Sequence, residues 1–366
     1  MVKRRKDGDN RPFINRHRPV VSVVIVNFNA GPLLSKAVES VLSSSVAVEV
    51  FVSDNGSTDG SLLAVRGLAG ADARLQIIEN RRNLGFAHAN NIALKLAQGE
   101  YVLLLNPDAV IKPDTLARML EAFAAYPETG MAGCLLRNPD GTEQIGCRRS
   151  IPTPWRSLVR VLRLGKLSPG HPLFRNFLLN KEPMPEKPIF IEAISGAFML
   201  VRREALVQVG LMDEGYFLHC EDLDWCMRFR QAGWQILFVP RVEVTHYKGA
   251  CSKKRPIWVM FHMHRGMTRL YRKFFQRQYS RPLMLLIIAA VWTRFLLLAA
   301  RMLFEIKWQK INKPVNGTQD RVSLKPMAEA KLIKSKRINP NTDLTIDDHV
   351  LGISNREVKR PYSHLP

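Results

Sequence analysis

Residues 20–26 (VVSVVIV) leave little freedom for the architecture. A strand with one wet face alternates apolar and polar residues. An unbroken run rich in β-branched residues instead belongs to a strand covered on both faces, as in the interior of a parallel sheet. The following segments keep that company. A helical pattern covers 33–42, and a second strand pattern at 46–52 runs into the turn-forming SDNGSTDGS of 53–61. A third strand is expected at 75–79, a helix over 86–98 with Gly99 as its stop, and a strand at 101–105 ended by Asn106-Pro107-Asp108. Strands alternating with helices predict an α/β domain with a mostly parallel sheet. Residues 138–190 are Pro-rich and basic and read as an irregular insertion, with a helical stretch near 155–164. Order returns at 190–201 and continues to His246.

Charge divides the chain of 366 residues further. Its net +22 is not spread evenly: residues 19–247 carry 23 basic and 23 acidic residues, whereas 248–310 carry 14 basic and one acidic. A nucleic-acid enzyme concentrates cations on its binding face within the fold. A neutral core with basic flanks instead suits a catalytic domain held near an anionic surface. The expected organisation is a basic arm at 1–18, a catalytic domain at 19–250, a basic and apolar helical segment at 251–310 and a polar, mobile tail at 311–366. The five cysteines include no CxxC pair. They read as reduced thiols of a cytosolic compartment and not as a disulfide or zinc framework. The basic start of the chain has no apolar stretch of the secretory type.

Four places could carry chemistry. Asp54 ends a strand at the sheet edge where α/β folds bind ligands, and could accept a hydrogen bond from a base or a ribose; it could equally cap a turn. Asp108 follows another apolar strand at the same edge and offers hard oxygen ligands to a divalent cation, or simply ends the strand. Glu221, Asp222 and Asp224 gather at a helix start, where the dipole favours acids. Asp224 and Arg228 stand i, i+4 and can pair, leaving Glu221 or Asp222 to face a cleft as a general base. His246 ends a short strand and becomes a ligand only if a metal site is nearby.

In order, VVSVVIVNFNA, VFVSDNGSTDGS, NRRNLGFAHANN, YVLLLNPDA, ISGAFMLVRREALVQVGLMDEGYF, EDLDWCMRFRQAGW and VTHYKG make residues 20–250 resemble the family 2 inverting glycosyltransferases, in particular the rhamnosyltransferase-like branch. The resemblance implies a GT-A fold, Rossmann-like, with nucleotide-binding and acceptor-binding halves around one sheet. It also implies site roles: Asn29 and Asp54 at the nucleotide base, Asn83 beside the nucleotide, and Gly196 close to the donor. Asp108 would be the metal-binding acid of a DxD-like motif in which Asn106 replaces the first Asp. His246 would complete the metal site for Mg²⁺ or Mn²⁺, and Asp222 would be the catalytic base, supported by Glu221, Asp224 and Arg228. The implied partners are a nucleotide-sugar donor, such as a dTDP-linked deoxysugar, and a glycan or lipid-linked acceptor of the bacterial envelope.

A nucleotidyltransferase would announce itself by a Gly-rich basic loop after the first strand; residues 27–31 (NFNAG) hold one Gly and no cation. A basic nucleic-acid-binding protein is opposed by the neutral core. Residues 283–304 form an apolar run interrupted by Arg294 and Arg301, which fall on one helical face. Cations flank the run on both sides, so charge sets no orientation for a span. The expectation is a helix lying in or shallowly under the cytoplasmic face of the inner membrane, with 248–282 binding anionic headgroups. A true span is one alternative, and a helix packed on the domain or in a homodimer interface is the other.

Overall fold

The computed structural model describes residues 19–166, 171–174, 176–249 and 255–311. The basic arm 1–18, the tail from residue 312 and Cys251 lie outside the described residues. The elements in chain order are β1 (Val21–Asn27), α1 (Leu33–Leu42), β2 (Val48–Asp54), α2 (Ser61–Ala71), β3 (Leu75–Glu79), α3 (Phe86–Leu94), β4 (Tyr101–Leu105), β5 (Ala109–Val110), α4 (Thr115–Ala125) and β6 (Thr129–Arg137). There follow β7 (Arg148–Arg149), α5 (Pro154–Val161), β8 (Ile189–Phe190), β9 (Ala193–Ile194), β10 (Phe198–Arg202), α6 (Arg203–Val209), α7 (Glu221–Gln231), β11 (Gln235–His246), α8 (Pro256–Phe275) and α9 (Arg281–Ile311).

One mixed sheet organises the domain in the order β3-β2-β1-β4-β10-β6-β11-β5, with β8 paired to β11. Strands β3, β2, β1, β4, β6 and β11 run one way; β10, β5 and β8 oppose them. All seven residues of β1 are buried, as a strand covered on both faces requires. One apolar cluster, including Leu34, Val38, Leu116 and Phe123, covers one sheet face, and a second, including Ala93, Trp225, Phe229 and Tyr271, covers the other. The architecture is therefore the mostly parallel α/β sheet expected from the strand pattern.

Helix α3 is shorter than its sequence pattern suggested, ending at Leu94 and not near residue 98. Gly99 is not its cap. A Cβ at Gly99 would stand 2.6 Å from the Ser22 backbone nitrogen, so the residue is small because the chain must pass β1 there. Gly85 has φ +88°, and a Cβ there would stand 2.6 Å from the Phe217 carbonyl oxygen. That contact, with the Phe86 N–H donating to the same carbonyl at 2.9 Å, ties the first half of the domain to the segment before α7. Cys134, Cys147, Cys220 and Cys226 are free and buried.

Helix α8 buries Leu270, Tyr271 and Phe275 in the second cluster. Helix α9 packs on it with one face only: Met284 is buried and Ile287, Ile288 and Val291 lie against the same cluster. Its opposite face exposes Leu285, Leu286, Leu296, Leu297 and Phe304, each about two-thirds accessible. Arg294 turns toward the protein and donates to His264 Nε2 at 2.9 Å, while Arg301 pairs with Glu305 on the helix surface.

Candidate active site

The sheet brings the sequence-predicted residues to one edge. Asn27 pairs with Asp54 and Asp54 with Glu79, so the three strand ends are level. β4 ends at Leu105 opposite Phe198 of antiparallel β10, and His246 at the end of β11 pairs with Ala109. The chain winds outward from β1 through β2 to β3, then returns to β4 on the other side of β1. That reversal of strand order falls between β1 and β4, and the C-terminal edge at such a point is where open α/β sheets hold ligands.

On the β1–β3 side the edge is a net of amides and hydroxyls. Asn27 Nδ2 donates to Asp54 Oδ1 (2.7 Å), while Asp54 Oδ2 accepts the N–H groups of Gly56 and Ser57, each at 3.0 Å. Asp54 is buried, and both of its oxygens build the loop. The turn-capping job is thus present in the structure, alongside the ligand role implied by resemblance. Asn29, at φ +56°, accepts from the Thr58 N–H, and Asn83 Oδ1 accepts from the Gly85 N–H. Asn tolerates the left-handed backbone because its short polar side chain bonds locally. Arg81 and Arg82 stand exposed beside this net as cations that the sequence motif contained but that had no assigned role.

On the other side of β1, Asp108 and His246 are both buried and meet at 3.0 Å between Oδ1 and Nε2. Gln144 Oε1 lies 2.6 Å from His246 Nδ1 and can only accept, so Nδ1 carries a proton toward it and Nε2 turns toward Asp108. Asn106 Nδ2 stands 3.2 Å from the same Nε2. Two ligands at right angles, each about 2.1 Å from a small divalent ion, stand about 3.0 Å apart. The carboxylate–imidazole pair, with the imidazole oriented from behind, fits such an ion. Among the described residues no group of three His, Cys, Asp or Glu side chains forms. An ion here would share its coordination with phosphate oxygens and water, as Mg²⁺ commonly does. Gln144 was not foreseen: its partner is 102 residues distant, in a segment that reads as irregular.

The third component is the start of α7. His219 and Cys220 take left-handed conformations, φ +69° and +71°, immediately before Glu221. Consecutive non-glycine residues in that region are costly and hold only where packing fixes them. Here Gly266 of α8 supplies the packing: a Cβ on it would stand 2.7 Å from the His219 carbonyl oxygen. Asp224 Oδ1 accepts from Arg228 Nε at 2.7 Å, the expected i, i+4 pair. Asp222 forms a tight ion pair with Arg149, and its Oδ2 also accepts the Gly196 N–H at 3.2 Å. Gly196 therefore lies against the candidate base, where a Cβ would crowd Asp222 Cβ at 3.3 Å. Arg149 also donates to the Ile194 carbonyl, which fixes the guanidinium, and its buried Nε has no partner among the described residues. Sequence gave no cue to this pair, since 73 residues separate its members.

Glu221 behaves differently. Burial, and then the charge of Asp222, push its carboxyl well above the usual range, and its Oε2 has no partner among the described residues. Its folded value exceeds its unfolded value, so between the two the folded chain keeps a proton that the unfolded chain has lost. Stability then falls as pH rises through that interval. Glu221→Gln is expected to melt above wild type by a margin that widens from about pH 5 to pH 8, at about 1.4 kcal/mol per pH unit of separation. A margin independent of pH would refute the buried-acid reading.

A reversal of strand order, with an amide-lined side, a carboxylate–imidazole pair and a carboxylate anchored at a helix start, makes this an α/β domain of the Rossmann-like kind with a candidate active site at one sheet edge. Sequence comparison agrees. The profile described as Glycosyl transferase family 2 matches residues 22–210, and that of Glycosyltransferase like family 2 matches 190–306. The chain belongs to glycosyltransferase family 2, and it is a glycosyltransferase. It is 31% identical over 249 residues to the N-acetylglucosaminyl-diphospho-decaprenol L-rhamnosyltransferase of Mycobacterium tuberculosis, covering 65% of this chain and 79% of that one. It is 27% identical over 239 residues to the rhamnosyltransferase WbbL of Escherichia coli, covering 62% and 83%. Among solved structures, the mannosyltransferase PcManGT from Pyrobaculum calidifontis, in complex with GDP-Man and Mn²⁺, is 21% identical, covers 81% of this chain and 82% of that chain, and gives a TM-score of 0.49.

Proposed function

We propose that this enzyme is a metal-dependent inverting glycosyltransferase. It moves rhamnose or another deoxysugar from a dTDP donor to a hydroxyl of a lipid-linked envelope glycan. The observation that carries the reading is the Asp222 carboxylate, held by Arg149 and the Gly196 N–H at the sheet edge that also carries Asp108 and His246. The acceptor and sugar assignment rests on similarity to rhamnosyltransferases, one of which is named for a diphospho-decaprenol acceptor.

In this reading Asp222 takes the proton of the acceptor hydroxyl as its oxygen attacks the anomeric carbon. The bond from that carbon to the nucleotide diphosphate breaks on the opposite face, and with no enzyme nucleophile the configuration inverts. Asn29, Asp54 and Asn83 would hold the nucleotide through their loops, and Gly196 would leave room at the donor. Asp108 and His246, with Asn106 beside them, would hold Mg²⁺ or Mn²⁺; bound there, the ion offsets the negative charge developing on the leaving diphosphate. Alignment of the two substrates supplies a further several kcal/mol, of order 7–11 in well-oriented reactions. A panel of nucleotide sugars tests the reading: at least one, with a dTDP-deoxysugar expected first, should raise the melting temperature in a metal-dependent way. No response to any nucleotide sugar would overturn it.

Attachment to the cytoplasmic face of the inner membrane belongs to the same proposal. Helix α9 is long and apolar enough to cross a bilayer: an 18-residue window within Arg281–Glu305 has a mean hydropathy of 2.3. Its packed face argues for lying in the plane, because a span starting at Arg281 would drag the domain residues around Met284 and Val291 into the bilayer. A helix packed on protein along one face and apolar on the other suits an interfacial position. Removing α8 and α9 would strip the core, so point changes are the cleaner probe. Full-length protein is expected to pellet with membranes and be partly released by high salt. Changing Leu285, Leu286, Leu296 and Leu297 to Gln is expected to leave it in the supernatant. A wild-type chain soluble without detergent would contradict the attachment.

A further inference from the structure

We propose that a basic cavity on α8 binds the diphosphate of a prenyl-linked acceptor, an inference that rests on the glycosyl-transfer reading above. The cavity has a volume of about 520 Å³. Arg265, Thr268, Arg269, Arg272 and Lys273 line one wall, Trp292 of α9 stands opposite, and Gly215 contributes backbone. The α8 residues recur at three- and four-residue intervals and so share one helical face. Like charges at that spacing repel one another, and an anion between them relieves the repulsion.

Two of the four cations are already engaged. Arg269 and Lys273 both bond Asp213, at 2.8 and 2.7 Å, and Lys273 also reaches Asp224 at 2.7 Å. Burial would raise the Asp213 carboxyl, but its bonds to Lys273 and Arg269 outweigh this and hold it at about 2. Asp213 is thus an anchor that orders the two cations. Arg265 and Arg272 are exposed and have no ion pair among the described residues. They give the cavity an uncompensated charge matched to a dianion, with charge-assisted hydrogen bonds available from both guanidinium groups.

Position decides which anion. On one side, α8 abuts the start of α7: Gly266 packs on His219 and Cys220, directly before Glu221 and Asp222, and Lys273 reaches Asp224 on the opposite face of α7 from Asp222. On the other side, the cavity wall is α9, whose outward face is exposed leucine and phenylalanine. The helix carrying the base, the cations and the apolar helix are therefore neighbours, as the sugar, the diphosphate and the hydrocarbon of a glycosyl diphosphoprenol are. Inorganic phosphate would have no use for the apolar wall, and a bilayer headgroup would have no need of a cleft built against the helix that carries the base.

The test uses full-length protein in a nonionic detergent, titrated calorimetrically with farnesyl diphosphate, farnesol and inorganic pyrophosphate, and separately mixed with phosphatidylglycerol vesicles. Wild type is expected to bind farnesyl diphosphate at least tenfold more tightly than farnesol or pyrophosphate. Arg265→Gln/Arg272→Gln is expected to weaken that binding at least tenfold, with the melting temperature retained. Equal affinity for the three soluble probes would overturn the proposal without needing any variant. So would an unchanged affinity in the double variant, or a loss confined to vesicle binding. Failure of every nucleotide sugar to stabilise the protein, with farnesyl diphosphate binding intact, would instead strike the glycosyl-transfer reading.

Discussion

Asp222→Asn is expected to lower kcat by about 10³-fold, within the 10²–10⁴ range typical of losing a general base, while the affinity for donor changes little. The amide keeps the size of the side chain and can still accept the Gly196 N–H, but it cannot take a proton. It also removes the charge that pairs with Arg149, so some loss of order around β7 and β9 is expected. Glu221→Gln serves as the internal control, because Glu221 is buried and favours its protonated form. Near-wild-type turnover in Asp222→Asn together with an inactive Glu221→Gln would transfer the role to Glu221.

Asp108→Ala is expected to abolish metal-dependent donor binding, and a chelator is expected to do the same to the wild type. Asp108 is the carboxylate that faces His246 Nε2, with Asn106 in place of a second acid. His246→Ala should lose metal affinity by a comparable amount. Gln144→Leu should lose about 10–100-fold, the effect usual for a group that orients a ligand from behind. Titration of Mn²⁺ in the presence of a nucleoside diphosphate reads all three. Full activity in chelator, or equal Mn²⁺ affinity across the series, would remove the metal from the account.

The strands of the first half were legible because a strand buried on both faces is written as an apolar run, and β1, β2 and β4 are such strands. Acids and amides at their ends could be placed on one edge from parallel topology alone. The i, i+4 pair of Asp224 and Arg228 was also local enough to read. Strand β6 was not legible. It contains Gly130 and Gly133, residues poor in strand propensity, and they are required because Trp234 and Ile194 press against the strand where a Cβ would stand 2.6 and 2.8 Å away. Gln144 and Arg149 escaped for a similar reason. Their segment has little regular structure, and their roles exist only through partners brought close by the finished fold. Helix α9 was visible as an apolar run, but the direction of Arg294, inward to His264, depended on α8 being in place.

The central claim is that one carboxylate activates the acceptor and no side chain attacks the sugar. The anomeric configuration of the product tests it most directly. With the donor identified by the nucleotide-sugar panel and a glycosyl diphosphoprenol acceptor, nuclear magnetic resonance of the new linkage is expected to show the configuration opposite to that of the donor. A product with the donor's configuration retained would contradict the account and call for an enzyme nucleophile.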